Sequence, residues 1–155
     1  MNNIEIERKF LVNNDSWMKE SSLSYKIQQG YLTSNPSIRV RIYDEKTAKL
    51  TIKSAEPGTT RIEYEYDIPL ADAIGMMESL PLVGIIDKTR HLVIRDGVTW
   101  EIDVFHKDSD GLVIAEVELS SEHQAIADTE WLGVEVTHDK RYYNNDIALT
   151  PYCEW

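Results

Sequence analysis

Charged residues alternate with apolar ones along this chain, and the charges come in like-signed pairs two residues apart. Glu5 and Glu7, Arg39 and Arg41, Glu63 and Glu65, Lys88 and Arg90, Glu101 and Asp103, and Glu116 and Glu118 make six such pairs. Lys9 continues the phase of the first, and Lys53 stands opposite Leu50 and Ile52 in its own segment. Residues i and i+2 of a strand share a face about 7 Å apart. Like charges at that range repel unless opposite charges or bound ions lie between them. A merely solvated face would mix Ser, Thr, Gln and single charges, whereas these positions are almost all ionised and sorted by sign. Clustered carboxylates are hard oxygen donors suited to Mg²⁺ or Mn²⁺ and not to zinc. Rows of Arg and Lys suit phosphate oxygens, Arg through bidentate contacts. The two signs together suit phosphoryl transfer, in which cations neutralise the charge that develops and an ion makes water a better nucleophile. Glu5 and Glu7 from one strand and Glu116 and Glu118 from another would hold the metal.

Alternation of this kind requires strands to position it. Apolar–polar periodicity predicts them near residues 3–11, 26–33, 37–43, 47–54, 61–68, 85–94, 98–106 and 112–119, with a last one at 133–137. Asn35-Pro36, Glu56-Pro57-Gly58 and Ser109-Asp110-Gly111 punctuate the series, and Asp96-Gly97 reads as a type I′ hairpin turn. Three helices are expected between strands. One is capped by Asp15 and runs through Tyr25. A second over 70–80 carries a stripe of Leu70, Ala73, Ile74 and Met77, with Gly75 weakening it. The third opens on a Ser121–Gln124 capping box and runs through Trp131. So many strands with few helices read as a mostly β (α+β) fold, an eight-stranded antiparallel sheet closed into a barrel so that no edge is exposed. The charged faces then line the lumen. The apolar alternates point outward, where helices cover some and a partner subunit, as in a homodimer, covers others.

Bulk properties set the outer limits. The 155 residues suit a single domain spanning 1–155. A formal net charge of -11 argues against generic binding of a nucleic-acid duplex, but it does not exclude an anionic ligand where basic residues are concentrated. The single cysteine, Cys153, fits a reducing cytoplasm. The N-terminus lacks the basic and apolar regions of a secretory signal, and no apolar run approaches the roughly 18 residues of a membrane helix.

Several residues admit two readings. Lys9 is a general-base helper, a phosphate ligand or a salt-bridge partner of Glu65 or Glu101. Glu101 and Asp103 either bind metal or balance the basic strands. Arg61 sits at a strand end and reads as peripheral. His91, His106, His123 and His138 lack metal-ligand spacing and read as surface or turn residues. Cys153 has no neighbouring His and reads as inert. Trp100 and Trp131 are expected to pack the outer face.

Glu5-Ile6-Glu7-Arg8-Lys9 resembles the ExExK signature of the CYTH superfamily, the triphosphate tunnel metalloenzymes. The resemblance continues in order through Arg39-Val40-Arg41, Thr51-Ile52-Lys53, Arg61-Ile62-Glu63-Tyr64-Glu65-Tyr66, Lys88-Thr89-Arg90, Trp100 to Phe105, and Ala115-Glu116-Val117-Glu118-Leu119. It extends to the tail, Glu135 to Tyr142, and is closest to the short bacterial single-domain members. It implies an eight-stranded tunnel, often dimeric, with Mg²⁺- or Mn²⁺-dependent attack on a triphosphate-containing small molecule. It also implies metal binding by Glu5, Glu7, Glu116 and Glu118, with Glu63 and Glu65 as further ligands. Substrate would be held by Lys9, Arg39, Arg41, Lys53, Lys88 and Arg90, and catalysis carried by Lys9, Glu7, Glu118 and Tyr31. Ser54 and His138 depart from the family pattern at positions expected to face away from the lumen. A short chain without a separate base-binding element favours an inorganic tripolyphosphatase. The alternatives are a class IV-type adenylate cyclase, a thiamine or nucleoside triphosphatase, and a non-catalytic polyphosphate- or nucleotide-binding barrel.

Overall fold

Period-two alternation makes strands along most of the chain. The computed structural model describes residues 3–54 and 59–155, and the strands are β1 (Ile4–Val12), β2 (Ser21–Ser34), β3 (Ser37–Tyr43), β4 (Thr47–Lys53), β5 (Thr60–Ile68), β6 (Gly84–Arg95), β7 (Val98–Phe105), β8 (Val113–Glu118) and β9 (Leu132–Glu135). Neighbours pair in the order β5-β4-β3-β2-β6-β7-β8-β1-β9. Glu5 opposite Arg61 and Ile4 opposite Ile62 join β1 to β5 and close eight strands into an antiparallel barrel. β9 lies beside the far half of β1, where Phe10 faces Glu135. The β6–β7 turn has Asp96 at φ 52° and Gly97 at φ 74°, the left-handed backbone a type I′ turn requires. The expected Glu56-Pro57-Gly58 turn lies outside the described residues. No helix among the described residues is long and apolar enough to cross a membrane.

Two of the three expected helices are replaced. The first is a single 3-10 stretch, Asp15–Glu20, capped by Asn14, whose side chain accepts from the Ser16 N–H at 2.9 Å. Trp17 is the residue it buries, and beyond Glu20 the chain pairs with β6 from Ser21 opposite Val93 to Tyr25 opposite Arg90. Only as a strand does this segment turn Tyr25 into the barrel, where it lines the cavity described below. The third helix does not form. Gln124 Oε1 accepts from both Ser120 N–H and Ser120 Oγ, making one turn, and the chain then runs irregularly to Trp131. Ile126 and Trp131 pack into the same outer cluster, and residues five apart on a helix would diverge by about 140°. α1 (Leu70–Ser79) forms over the expected span and lays Leu70, Ala73, Met76 and Met77 on Val40, Ile42 and Ala48, whereas Ile74, expected in the stripe, is exposed and Met76 packs there with the rest.

Apolar alternates do point outward over much of the barrel. Phe10, Val93, Trp100, Ile102, Ala115 and Val117 form an outer core with Trp17 and Trp131, and the Trp100 and Trp131 rings meet edge to face at 5.4 Å. The lumen is not charged along its whole length, however. Tyr31, Ile86, Phe105 and Ile114 share the inward phase of the charged rows and form an apolar floor. A short helix unmarked by any periodicity, α2 (Asn144–Leu149), sets Ile147 and Ala148 against that floor. Gly84 permits this approach, since a Cβ there would stand 2.3 Å from the Ala148 carbonyl oxygen. The barrel is therefore a cup with a charged upper wall.

Candidate active site

Above the floor lies a cavity of about 630 Å³. Strand register decides which charges meet on its wall. Glu7 stands directly opposite Glu118 and Lys9 opposite Glu116 on β1 and β8, and Lys53 stands opposite Glu63 on β4 and β5. The two lysines sit between the carboxylates. Lys9 Nζ lies 2.5 Å from Glu116 Oε1 and 3.6 Å from Glu7 Oε1. Lys53 Nζ contacts Glu5 and lies 3.5 Å from Glu7 and 3.8 Å from Glu63.

The acids titrate differently because the lysines serve them unequally. Burial works against the Glu7 carboxylate, but Lys9 and Lys53 outweigh it and hold the group at about 2. Burial likewise opposes ionised Glu116, and Lys9 and Arg90 keep it well below the usual carboxylate range. Glu5 goes the other way, pushed up to about 7 by burial and then by Glu7, with Lys53 offsetting only part. Glu118 is also raised, by burial and by the Glu63 and Glu7 carboxylates. Burial opposes a charged Lys9, yet Glu116 and Glu7 hold its ammonium above the ordinary lysine range.

The basic rows divide into paired and unpaired cations. Arg90 donates twice to Asp103, at 2.7 and 2.8 Å, contacts Glu101, and lies 3.7 Å from Glu116. Arg41 bonds neutral groups instead: its Nε donates to Gln29 Oε1 at 2.6 Å, and Gln29 Nε2 donates to the Tyr31 hydroxyl at 2.9 Å. Arg39 faces the same hydroxyl, and its buried Nε has no hydrogen-bond partner.

Twelve of the expected site residues line one cavity: Glu5, Glu7, Lys9, Tyr31, Arg39, Arg41, Lys53, Glu63, Glu65, Arg90, Glu116 and Glu118. Of these Glu65 is exposed, accepting from Thr51 Oγ1 at 3.0 Å with Lys49 at 3.5 Å. Lys88 is not on the wall. It is fully buried beneath it, 2.6 Å from Asp103 Oδ2 and 2.9 Å from Asn144 Oδ1, and burial pulls its ammonium down to about 7 against the attraction of Asp103. Tyr31 bonds Gln29 and Arg39 and not Lys9. Ser54, expected to face away, lines the cavity, as does Arg61, expected to be peripheral. Arg61 shares the phase of Glu63 and Glu65, which was signal enough to place it inside. Tyr143, Asn144 and Lys140 also line the wall, and they come from a tail with no periodic pattern.

The donor set suits a hard divalent cation. Glu63 Oε2 is buried without a hydrogen-bond partner, and Glu118 faces Glu7, with Lys53 offsetting its charge only from beyond ion-pair distance. All the donors are carboxylate oxygens. In this arrangement no three acidic, His or Cys side chains among the described residues converge as a ready-made metal cage, because Lys9 and Lys53 stand between the glutamates.

A model of the CYTH domain matches residues 3–147. The chain belongs to the CYTH domain family. Among CYTH relatives, an inorganic triphosphatase of Acetivibrio thermocellus is 39% identical over 150 residues, covering 96% of this chain and 95% of the relative. An inorganic triphosphatase of Nitrosomonas europaea is 36% identical over 151 residues, covering 94% and 97%. A solved crystal structure of an inorganic triphosphatase superposes with a TM-score of 0.68 at 34% identity, covering 94% of each chain.

Proposed function

We propose that this CYTH protein hydrolyses inorganic tripolyphosphate with the help of Mg²⁺ or Mn²⁺. The observation that carries the reading is the division of the cavity wall: among the described residues Arg39 and Arg41 form no ion pair with a carboxylate, while Glu5, Glu7, Glu63 and Glu118 crowd one another. One side needs an anion and the other a cation. The names of the Acetivibrio and Nitrosomonas relatives support the same activity.

A divalent cation held by Glu5, Glu7, Glu116 and Glu118, with Glu63 and the exposed carboxylate of Glu65 in reserve, would offset phosphoryl charge and acidify water. The chain's own groups do the rest. Arg39 and Arg41 bind phosphoryl oxygens, with Tyr31 and Gln29 fixing their orientation. Lys9, Lys53 and Arg90 add positive charge from the carboxylate side. Lys9 is held protonated, so it serves as a phosphate ligand and not as a base. Lys88 supports this wall from below through Asp103. Glu118, which faces Glu7 and whose carboxyl is raised by burial and by the Glu63 and Glu7 charges, accepts the proton of the attacking water. The water oxygen bonds to the terminal phosphorus, the bridging P–O bond breaks, and orthophosphate and pyrophosphate leave.

Purified protein with Mg²⁺ or Mn²⁺ is expected to convert tripolyphosphate to equal amounts of orthophosphate and pyrophosphate, far faster than it attacks pyrophosphate or ATP. Equal rates on all three, or cyclic AMP formed from ATP, would overturn the assignment. Glu7→Gln is expected to lower turnover by orders of magnitude with a smaller loss of substrate binding; equal losses of both would contradict its role at the metal.

A further inference from the structure

Arg61 lies at the start of β5, opposite Glu5 in the strand register, and is 8% exposed. Its guanidinium carbon sits 4.2 Å over the ring of Tyr143. That ring is itself held from two sides. The Tyr143 hydroxyl donates to the Thr137 carbonyl at 2.8 Å, and Thr137 Oγ1 accepts from the Lys9 backbone N–H at 3.1 Å. The stack therefore ties the tail of the chain to the strand bearing the glutamates and fixes the plane of the guanidinium.

Stacking orients the cation but leaves its N–H edge unsatisfied. Arg61 Nε is buried without a hydrogen-bond partner, and among the described residues Arg61 forms no ion pair. Glu7 and Asp146 act on it electrostatically from beyond contact, and Lys9 repels it. Lys9, Lys53 and Arg90 each pair with a carboxylate of the same cavity, Glu116, Glu5 and Glu101 in turn. A buried, braced and uncompensated guanidinium on the wall of a cavity is built for an anion.

We infer that Arg61, braced by Tyr143, is a further substrate-binding residue of the cavity, contacting a phosphoryl group of the tripolyphosphate. The inference rests on the triphosphatase reading above. It also explains why the tail folds back over the cavity, with Tyr143 a positioning residue that acts through Arg61.

Calorimetric titration with tripolyphosphate in EDTA reads binding apart from turnover. Arg61→Gln is expected to weaken binding about 10- to 100-fold. Arg61→Lys keeps the charge and loses the planar stack, and is expected to fall between Gln and the parent. Tyr143→Phe keeps the ring and should bind within a few-fold of the parent, whereas Tyr143→Leu should approach the Arg61→Gln value. In steady-state assays, KM for tripolyphosphate should rise while kcat and the Mn²⁺ activation midpoint stay within a few-fold. Parental affinity in Arg61→Gln overturns the inference and leaves the triphosphatase reading standing. So does a shifted Mn²⁺ midpoint with unchanged tripolyphosphate affinity, which would make Arg61 a support for Glu5. If Arg61→Gln does not fold, Arg61→Lys decides alone, parental affinity again counting against the inference. A parent that neither binds tripolyphosphate in EDTA nor hydrolyses it with Mn²⁺ overturns the triphosphatase reading, and this inference with it. Where the parent binds only with Mn²⁺ present, KM decides, and an unchanged KM in Arg61→Gln overturns the inference.

Discussion

Replacing Glu5 with Gln is expected to stabilise the metal-free protein at alkaline pH while damaging its site. The Glu5 carboxyl is held at about 7 against an ordinary 4.5, by burial and then by Glu7 and Glu63 against the partial help of Lys53. An acid raised in this way keeps its proton in the folded state after the unfolded chain has lost it. Between pH 4.5 and about 7 the folded state therefore binds more protons, and the contribution of this group to stability falls as pH rises across that window. Below the window both states are protonated and the penalty vanishes. Above it the penalty is complete, about 3 kcal/mol for a shift of this size. Gln cannot ionise, so the variant should escape the penalty and melt roughly 6–12 °C higher than the parent near pH 8. The two should converge toward acid pH.

The assay is thermal unfolding followed by circular dichroism, parent beside variant, in EDTA across that range. Parallel curves at every pH, or a variant that is less stable at alkaline pH, would refute the reasoning. Added Mn²⁺ should reverse the alkaline order, because a cation that binds the folded parent stabilises it by mass action and the Gln variant binds it less well.

Asp103→Asn should cost about 3–5 kcal/mol, since it strands the buried cations of Lys88 and Arg90, and adding Lys88→Met should recover part of the loss; urea melts of the single and double variants check this. Gly84→Ala should cost about 1–3 kcal/mol because the new methyl meets the Ala148 carbonyl. Its crystal structure should show α2 displaced and the Asn144 contacts to Lys88 and Glu116 lengthened from 2.9 and 3.3 Å; an unmoved α2 with parental stability would contradict it.

The charge alternation carried the barrel, its closure and most of the cavity wall into plain view, because period two fixes the face of each residue once a strand exists. Its reach ended where local pattern did. Ser21–Tyr25 has no apolar stripe of its own, and only pairing with β6 makes it a strand. Ser121–Gln124 matched a capping box, but the chain beyond it had to place Ile126 and Trp131 on one surface. Lys88 shares the phase of Arg90, yet depth along the barrel axis, which no alternation encodes, sets it under the wall. The floor was hidden for the same reason, since α2 is six residues long and its docking depends on the missing side chain of Gly84.

Register also explains why the like-signed pairs are not equivalent. Arg90 stands directly opposite Asp103 and Leu92 opposite Glu101, so the Lys88/Arg90 and Glu101/Asp103 pairs cancel across β6 and β7. Arg39 and Arg41 have no such neighbours: β2 sets Tyr31 and Gln29 against them, and β4 sets Thr51 and Lys49. Glu7 faces Glu118, a carboxylate against a carboxylate. Charges that could have been neutralised by an exchange of residues between adjacent strands are instead left facing the cavity, arginine on one side and glutamate on the other. Like charges placed directly opposite destabilise a sheet, so Glu7 facing Glu118 costs stability in the empty protein, and Glu5, opposite Arg61 but buried beside Glu7, adds a further cost. The arrangement is relieved in part by an anion beside the arginines and in full when a cation joins it beside the glutamates, which is the composition of a metal-bound triphosphate.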